Sequence, residues 1–227
     1  MSLYYQDGHV TLYHGDCLTE HREWLNADVL VTDPPYGIDW TARHGRAQHG
    51  TKDQRSTKSA IYADGDTAAR DAALDIWGNL PAIVFGSWRI PRPQNVHALL
   101  IWHKEGAYSG PLVAPFFTNH EEIYAIGRAA WRKSSPPLRS VITTTEHRSS
   151  ATRQIGHPTP KPVQLMGQLI DRCPPGVIAD PFAGSGSTLI AARNLGRKAV
   201  GVELEEKYCE IIAKRLDQGV LDIGALA

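Results

Sequence analysis

The chain has 227 residues, enough to bury one sizeable core but cramped for two full domains. Its 24 basic and 24 acidic side chains cancel, so net charge alone announces no nucleic-acid partner. No apolar run is long enough to cross a bilayer, and the N-terminus MSLYYQDGHV lacks the basic-then-apolar layout of a secretion signal. Cys17, Cys173 and Cys209 form no C-x-x-C pair, which predicts reduced structural thiols in a cytoplasmic protein, without a zinc site or a disulfide framework.

The first element is a hairpin, LYY and HVTLYHGD around a turn at Asp7-Gly8, followed by a short helix around 18–26. Residues 28–40, DVLVTDPPYGIDW, form a buried strand that ends abruptly in an acid, two prolines and a tyrosine. Two prolines delete two backbone donors and fix φ, so the strand must stop there and present a rigid tip. From Trp40 to Ser59 the text is polar with no hydrophobic period, which predicts a loop or insertion. A helix over 66–79, carrying Ala68, Ala72, Leu74, Ile76 and Trp77, is closed by Gly78. The strands AIVFG, ALLIWHK and EEIYAIG follow, and 128–156 returns to basic, Ser/Thr/Pro-rich text with little pattern.

The C-terminal third is sharper. HPTPKPVQLMGQLIDRC opens on prolines suited to a first helical turn and carries Val163, Met166, Leu169 and Ile170 on one face. Residues 177–216 then give strand, glycine turn, helix, strand and helix, a βαβ unit that implies a parallel sheet. The predicted fold class is α/β, doubly wound.

The glycine turn DPFAGSGST, residues 180–188, joins a strand to a helix whose first N–H groups are unpaired. Gly184 and Gly186 lack the Cβ atoms that would hold a ligand off the backbone, and Glu203 ends the next strand where a carboxylate can accept both hydroxyls of a ribose. The pattern predicts an adenosine-containing cofactor. A nucleotide-triphosphate loop needs a lysine after its last glycine, and a dinucleotide fingerprint a glycine where Leu189 stands.

Together, DPPY at 33–36, HPTPKP at 157–162, DPFAGSGST at 180–188 and GVE at 201–203 resemble the motif set of S-adenosylmethionine-dependent DNA amino-methyltransferases. The order, tetrapeptide first and glycine turn late, resembles the permuted beta class of the N6-adenine/N4-cytosine family. The resemblance implies a seven-stranded, mostly parallel Rossmann-like sheet in a single domain over 1–227. The strand ending at Asp33 would then lie beside the strand ending at Asp180, at the switch point where open α/β sheets bind ligands.

It also implies the chemistry of the tip. The Asp33 carboxylate and the Pro34 carbonyl would accept the two hydrogens of an exocyclic amine, with Pro35 fixing the angle and Tyr36 stacking on a flipped-out base. Neither a metal nor a covalent nucleophile is needed. C5-methylation of cytosine would need a cysteine after proline, which this chain lacks, and the acid of DPPY favours adenine over cytosine. Cytosine-N4 transfer, an RNA substrate or a catalytically silent nucleic-acid-binding homologue are the alternatives.

By the same resemblance the cofactor S-adenosylmethionine would be held within region 157–217. The contacts would be Asp180, Phe182, Ala183, Gly184, Ser185, Gly186, Ser187, Thr188, Glu203 and Leu204, with Asp16 accepting from its adenine amine. His157, Thr159 and Lys161 would hold its methionine end, the ammonium pairing with the carboxylate. Arg43, Arg46, Lys52, Arg55 and Lys58 in segment 41–60, with Arg132 and Lys133 in 128–156, provide basic surface for DNA phosphates. This region is lean for the family, which implies a short target, low specificity, or a homodimer that completes the DNA-binding surface. Nothing in the sequence names a restriction partner.

Overall fold

The computed structural model describes residues 2–35, 66–106, 116, 118–127, 131–133, 137–145 and 155–224, with side chains through 218. Its centre is one sheet of nine strands in the order β1-β2-β9-β8-β3-β4-β6-β5-β7. The strands are β1 (Ser2–Gln6), β2 (Val10–His14), β3 (Val29–Thr32), β4 (Ala82–Gly86) and β5 (Val96–Lys104), then β6 (His120–Ile126), β7 (Val141–Thr144), β8 (Ile178–Asp180) and β9 (Ala199–Glu203). The helices are α1 (Ala68–Trp77), α2 (Val163–Ile170), α3 (Ser187–Asn194) and α4 (Glu206–Gly224).

The run β2-β9-β8-β3-β4 is parallel throughout, while β1, β6 and β5 pair antiparallel and β7 joins β5 in parallel. Strands β9, β8, β3 and β4 of that run are buried on both faces, and their residues alternate between two cores. Val29, Val31, Ile83 and Phe85 face a core shared with α2, α3 and α4, through Leu165, Leu169, Leu189 and Ile212. Leu30, Ala82, Val84 and Val202 face the other, where Trp24 stacks on Trp77 of α1 with ring centroids 5.7 Å apart. Apolar side chains on both sides of each strand are what a doubly wound sheet requires.

Most predicted elements stand where the sequence places them, and AIVFG is β4 to the residue. Three details differ. The sheet has nine strands rather than seven, because the N-terminal hairpin adds β1 at one edge and β7 closes the other. β7 comes from the 128–156 text that showed little pattern: an edge strand with Val141 and Thr143 exposed presents only a half-apolar row. The helix expected around 18–26 is a turn from Cys17 and a single 3-10 turn at Glu23–Asn26. No helix among the described residues is long and apolar enough to cross a membrane.

Candidate active site

Register brings the site together. β2 pairs β9 with His14 opposite Glu203, β9 pairs β8 with Gly201 opposite Asp180, and β8 pairs β3 with Ala179 opposite Leu30. Four adjacent parallel strands therefore finish in acids at one edge: Asp16 two residues past β2, Glu203 in β9, Asp180 in β8, and Asp33 one residue past β3. A cavity of about 290 Å³ opens along this edge, and both the rigid tip and the glycine turn line it.

The glycine turn is built by local hydrogen bonds. Ala183 N–H donates to the Val202 carbonyl at 3.0 Å and Gly186 N–H to the Ala183 carbonyl at 2.7 Å, which folds the turn back against β9. Both carboxylates beneath it are held by uncharged donors. Glu203 accepts from Gly184 N–H at 2.7 Å and Glu205 N–H at 2.8 Å. Asp180 accepts from the Thr32 hydroxyl at 2.7 Å and Phe182 N–H at 3.2 Å. Burial pushes Glu203 up to about 7 and Asp180 to about 6, and these hydrogen bonds offset only part of the rise.

The two glycines do different work. Gly184 lines the cavity at φ +51, and a Cβ there would meet His157 Nε2 at 3.1 Å. Gly186, expected to make room for a ligand, does not line the cavity: at φ +76 it caps α3, and its open side is filled by Ile212 of α4, 2.8 Å from a Cβ. Its glycine is required by packing and by left-handed backbone.

The expected cofactor contacts Asp16, His157, Thr159, Lys161, Asp180, Phe182, Ala183, Ser185, Ser187, Thr188, Glu203 and Leu204 all line the cavity with Gly184. Asp16 also caps its own turn, accepting from Leu18 N–H at 2.7 Å. His157 packs edge-on against Tyr208 of α4, centroids 4.6 Å apart, and its Nδ1 accepts from Thr159 N–H at 3.2 Å. Burial, then nearby Lys161 and Arg215, lower its pKa to about 3, so the ring is neutral.

Lys161 has neighbours other than those the resemblance implied. Its Nζ bonds Asp33 Oδ2 and lies 3.4 Å from Glu121 Oε2, which places the ammonium at the tip. Asp33 lines the cavity with Pro34 and Pro35, and its Oδ1 is buried with no hydrogen-bond partner among the described residues. Burial raises the Asp33 pKa even though Lys161 opposes the rise. Sequence reasoning missed Glu121 and Lys104, whose Nζ bonds Glu121 Oε1. Both stand in strand text read only as apolar, and nothing short of the β5–β6 register brings them to the tip.

Tyr36, Arg43, Arg46, Lys52, Arg55 and Lys58 lie outside the described residues. Arg132 and Lys133 are exposed, and Arg132 pairs with Asp171 at 3.3 Å beyond the cavity lining. Cys17, Cys173 and Cys209 are free and buried, and burial pushes each thiol up to about 12, which leaves them unreactive.

A parallel-sheet cleft edged by carboxylates, with a glycine turn on one wall and a proline-fixed acid on the other, lies where open α/β sheets bind their ligands. The family model described as DNA methylase matches residues 42–214. The type II methyltransferase M.ScaI of Streptomyces caespitosus is 42% identical over an alignment 276 positions long, gaps included, covering 94% of this chain and 83% of that one. The putative methylase YubD of Escherichia coli K12 is 29% identical over 212 residues, 89% of this chain and 88% of that one. The chain therefore belongs to the N6/N4 DNA methylase family, as its motifs implied. Among solved structures, the cytosine-N4-specific PvuII DNA methyltransferase shares the fold at a TM-score of 0.64 and 14% identity, over 93% of this chain and 87% of that one. The M1.HpyAVI–SAM complex does so at 0.59 and 20%, over 91% and 99%.

Proposed function

We propose that the protein transfers a methyl group from S-adenosylmethionine to the exocyclic amine of a DNA base, N6 of adenine, by in-line displacement on a flipped-out base. The observation that carries this is Asp33 Oδ1, a buried carboxylate oxygen on the cavity wall with no donor among the described residues. A buried acceptor left unpaired is costly, and a substrate N–H is the donor it lacks.

The residues present fit the cofactor. Its sulfonium is a cation, and the cleft offers Asp16, Asp180 and Glu203 with a neutral His157 that adds no opposing charge. Glu203 is fixed by two backbone N–H groups yet keeps lone pairs for ribose hydroxyls, and Phe182, Leu204 and Tyr208 supply apolar walls. Structures of the same fold, M1.HpyAVI and Thermus thermophilus TTHA0409, have been solved with S-adenosylmethionine. When bound, the cofactor supplies an electrophilic methyl group.

The chain's own residues prepare the nucleophile. The amine lone pair is delocalised into the base, so the amine attacks poorly until it becomes more tetrahedral. Asp33 Oδ1 and the Pro34 carbonyl accept its two hydrogens, which turns the lone pair toward the methyl, and the prolines hold that angle. Tyr36 stacks on the base, and the basic side chains of 41–60 with Arg132 and Lys133 take DNA phosphates.

The test is transfer of a labelled methyl group to DNA followed by digestion to nucleosides. Label in N6-methyl-2′-deoxyadenosine supports the reading. Label in N4-methyl-2′-deoxycytidine moves it to the alternative that the PvuII likeness keeps in view, and no label on DNA overturns it.

A further inference from the structure

Four charged groups meet behind the tip, and methyl transfer as described uses one of them. Asp33 follows β3, Lys104 ends β5, Glu121 lies in β6 and Lys161 precedes α2. They form a continuous chain: Lys104 Nζ bonds Glu121 Oε1, Glu121 Oε2 lies 3.4 Å from Lys161 Nζ, and Lys161 Nζ bonds Asp33 Oδ2. Their side chains are 11%, 17%, 5% and 22% exposed in that order. Two ammonium groups and two carboxylates leave the cluster neutral, which is what makes such burial tolerable. Beneath them Phe85 and Trp102 meet edge to face at 6.4 Å, with Lys161 5.0 Å above the first ring and Lys104 4.5 Å above the second.

The arrangement divides the Asp33 carboxylate. Lys161 takes Oδ2, and Oδ1 is left as the buried acceptor. An ammonium has three donors, and without a second anion beside it Lys161 could bridge both oxygens of Asp33 and close the acceptor the substrate needs. We propose that Glu121, braced by Lys104, is a positioning residue for methyl transfer: it draws the Lys161 ammonium to one oxygen of Asp33 and keeps the other open to the amine. This rests on the reading of Asp33 as amine acceptor given above.

Among the described residues, the charged groups facing Asp33 are Lys161 from the segment before α2, Glu121 from β6, Lys104 from β5 and Asp180 from β8. Their signs give opposite expectations. Lys161→Met removes the nearest cation, so the Asp33 carboxyl should titrate higher. Glu121→Gln removes an acid whose charge raises the Asp33 pKa, so the carboxyl should titrate lower.

The experiment follows the Asp33 carboxyl carbon by NMR across pH in the full-length protein without DNA or cofactor, for the unaltered chain and both variants. Transfer rates and calorimetric cofactor affinity are measured beside it. Opposite displacements, with a rate in Glu121→Gln lowered about 10- to 100-fold while cofactor affinity holds within about twofold, support the proposal. Midpoints that stay put, or move the same way in both variants, overturn it. Should Glu121→Gln fail to fold, Lys104→Met removes the brace from farther away, and an unchanged transfer rate there overturns the proposal. The titrations need no methyl transfer, so an inactive unaltered protein would strike the functional reading alone. Normal transfer with unmoved titrations would strike the positioning role alone.

Discussion

The two walls of the cleft hold their acids by different means. On the glycine-turn wall, Asp180 and Glu203 are buried among uncharged donors, backbone N–H groups and a threonine hydroxyl, and both pKa values rise. On the tip wall, Asp33 and Glu121 are half-buried among ammonium groups. Neutral donors fix a carboxylate without an opposing charge, so burial raises its pKa and a cationic ligand would favour the ionised form. Ammonium groups cancel the charge and decide which oxygen is free. One wall suits binding a cation, and the other suits aiming a lone pair.

The sharpest break in that comparison is Asp33→Ala. It should lower transfer by about 10³-fold while leaving calorimetric cofactor affinity within about twofold, because the binding acids sit on the other wall. Near-normal turnover would remove the tip from the chemistry.

Next in size is Gly186→Val. A side chain at φ +76 facing Ile212 at 2.8 Å should lower unfolding stability by about 2–4 kcal/mol, read by denaturant titration. Loss of cofactor affinity with stability intact would return Gly186 to the ligand side.

The raised acids give a third test. Folded Glu203 lies near 7 against an ordinary value of 4.5, so the folded state binds its proton more tightly than the unfolded state. Stability from this source is complete below about pH 4.5 and is lost as pH rises through about 7. Glu203→Gln should therefore gain on the unaltered, ligand-free protein by about 1–3 kcal/mol between pH 5 and pH 8. A gap independent of pH would mean Glu203 is not desolvated.

Charge reversal at Arg43 and Arg46 should have the mildest effect, a weaker and less salt-dependent grip on DNA with cofactor affinity unchanged. An unchanged salt slope would take that segment out of phosphate contact.

The same division decided what could be read beforehand. The glycine turn is a local object: Asp180, the turn, α3 and Glu203 lie within one βαβ stretch, so spacing alone announces it. The parallel core was legible because VLVT and AIVFG are apolar on both faces. The ion cluster draws on residues 33, 104, 121 and 161, and only strand order brings them together. Lys161 was read from the sequence as a contact for a ligand carboxylate, and its pairing with Asp33 is visible only once the fold brings the two together. β7 escaped because an edge strand need bury only one row.

The last helix, α4, touches the glycine wall at four points. Ile212 fills the hollow beside Gly186, Arg215 donates to the Ser185 carbonyl, Tyr208 meets His157, and Cys209 Sγ lies 3.6 Å from the Glu203 carbonyl. None of these residues belongs to a motif. A fragment cut just after GVE would keep every recognisable signature of its family and still lose the buttress against which the turn is shaped.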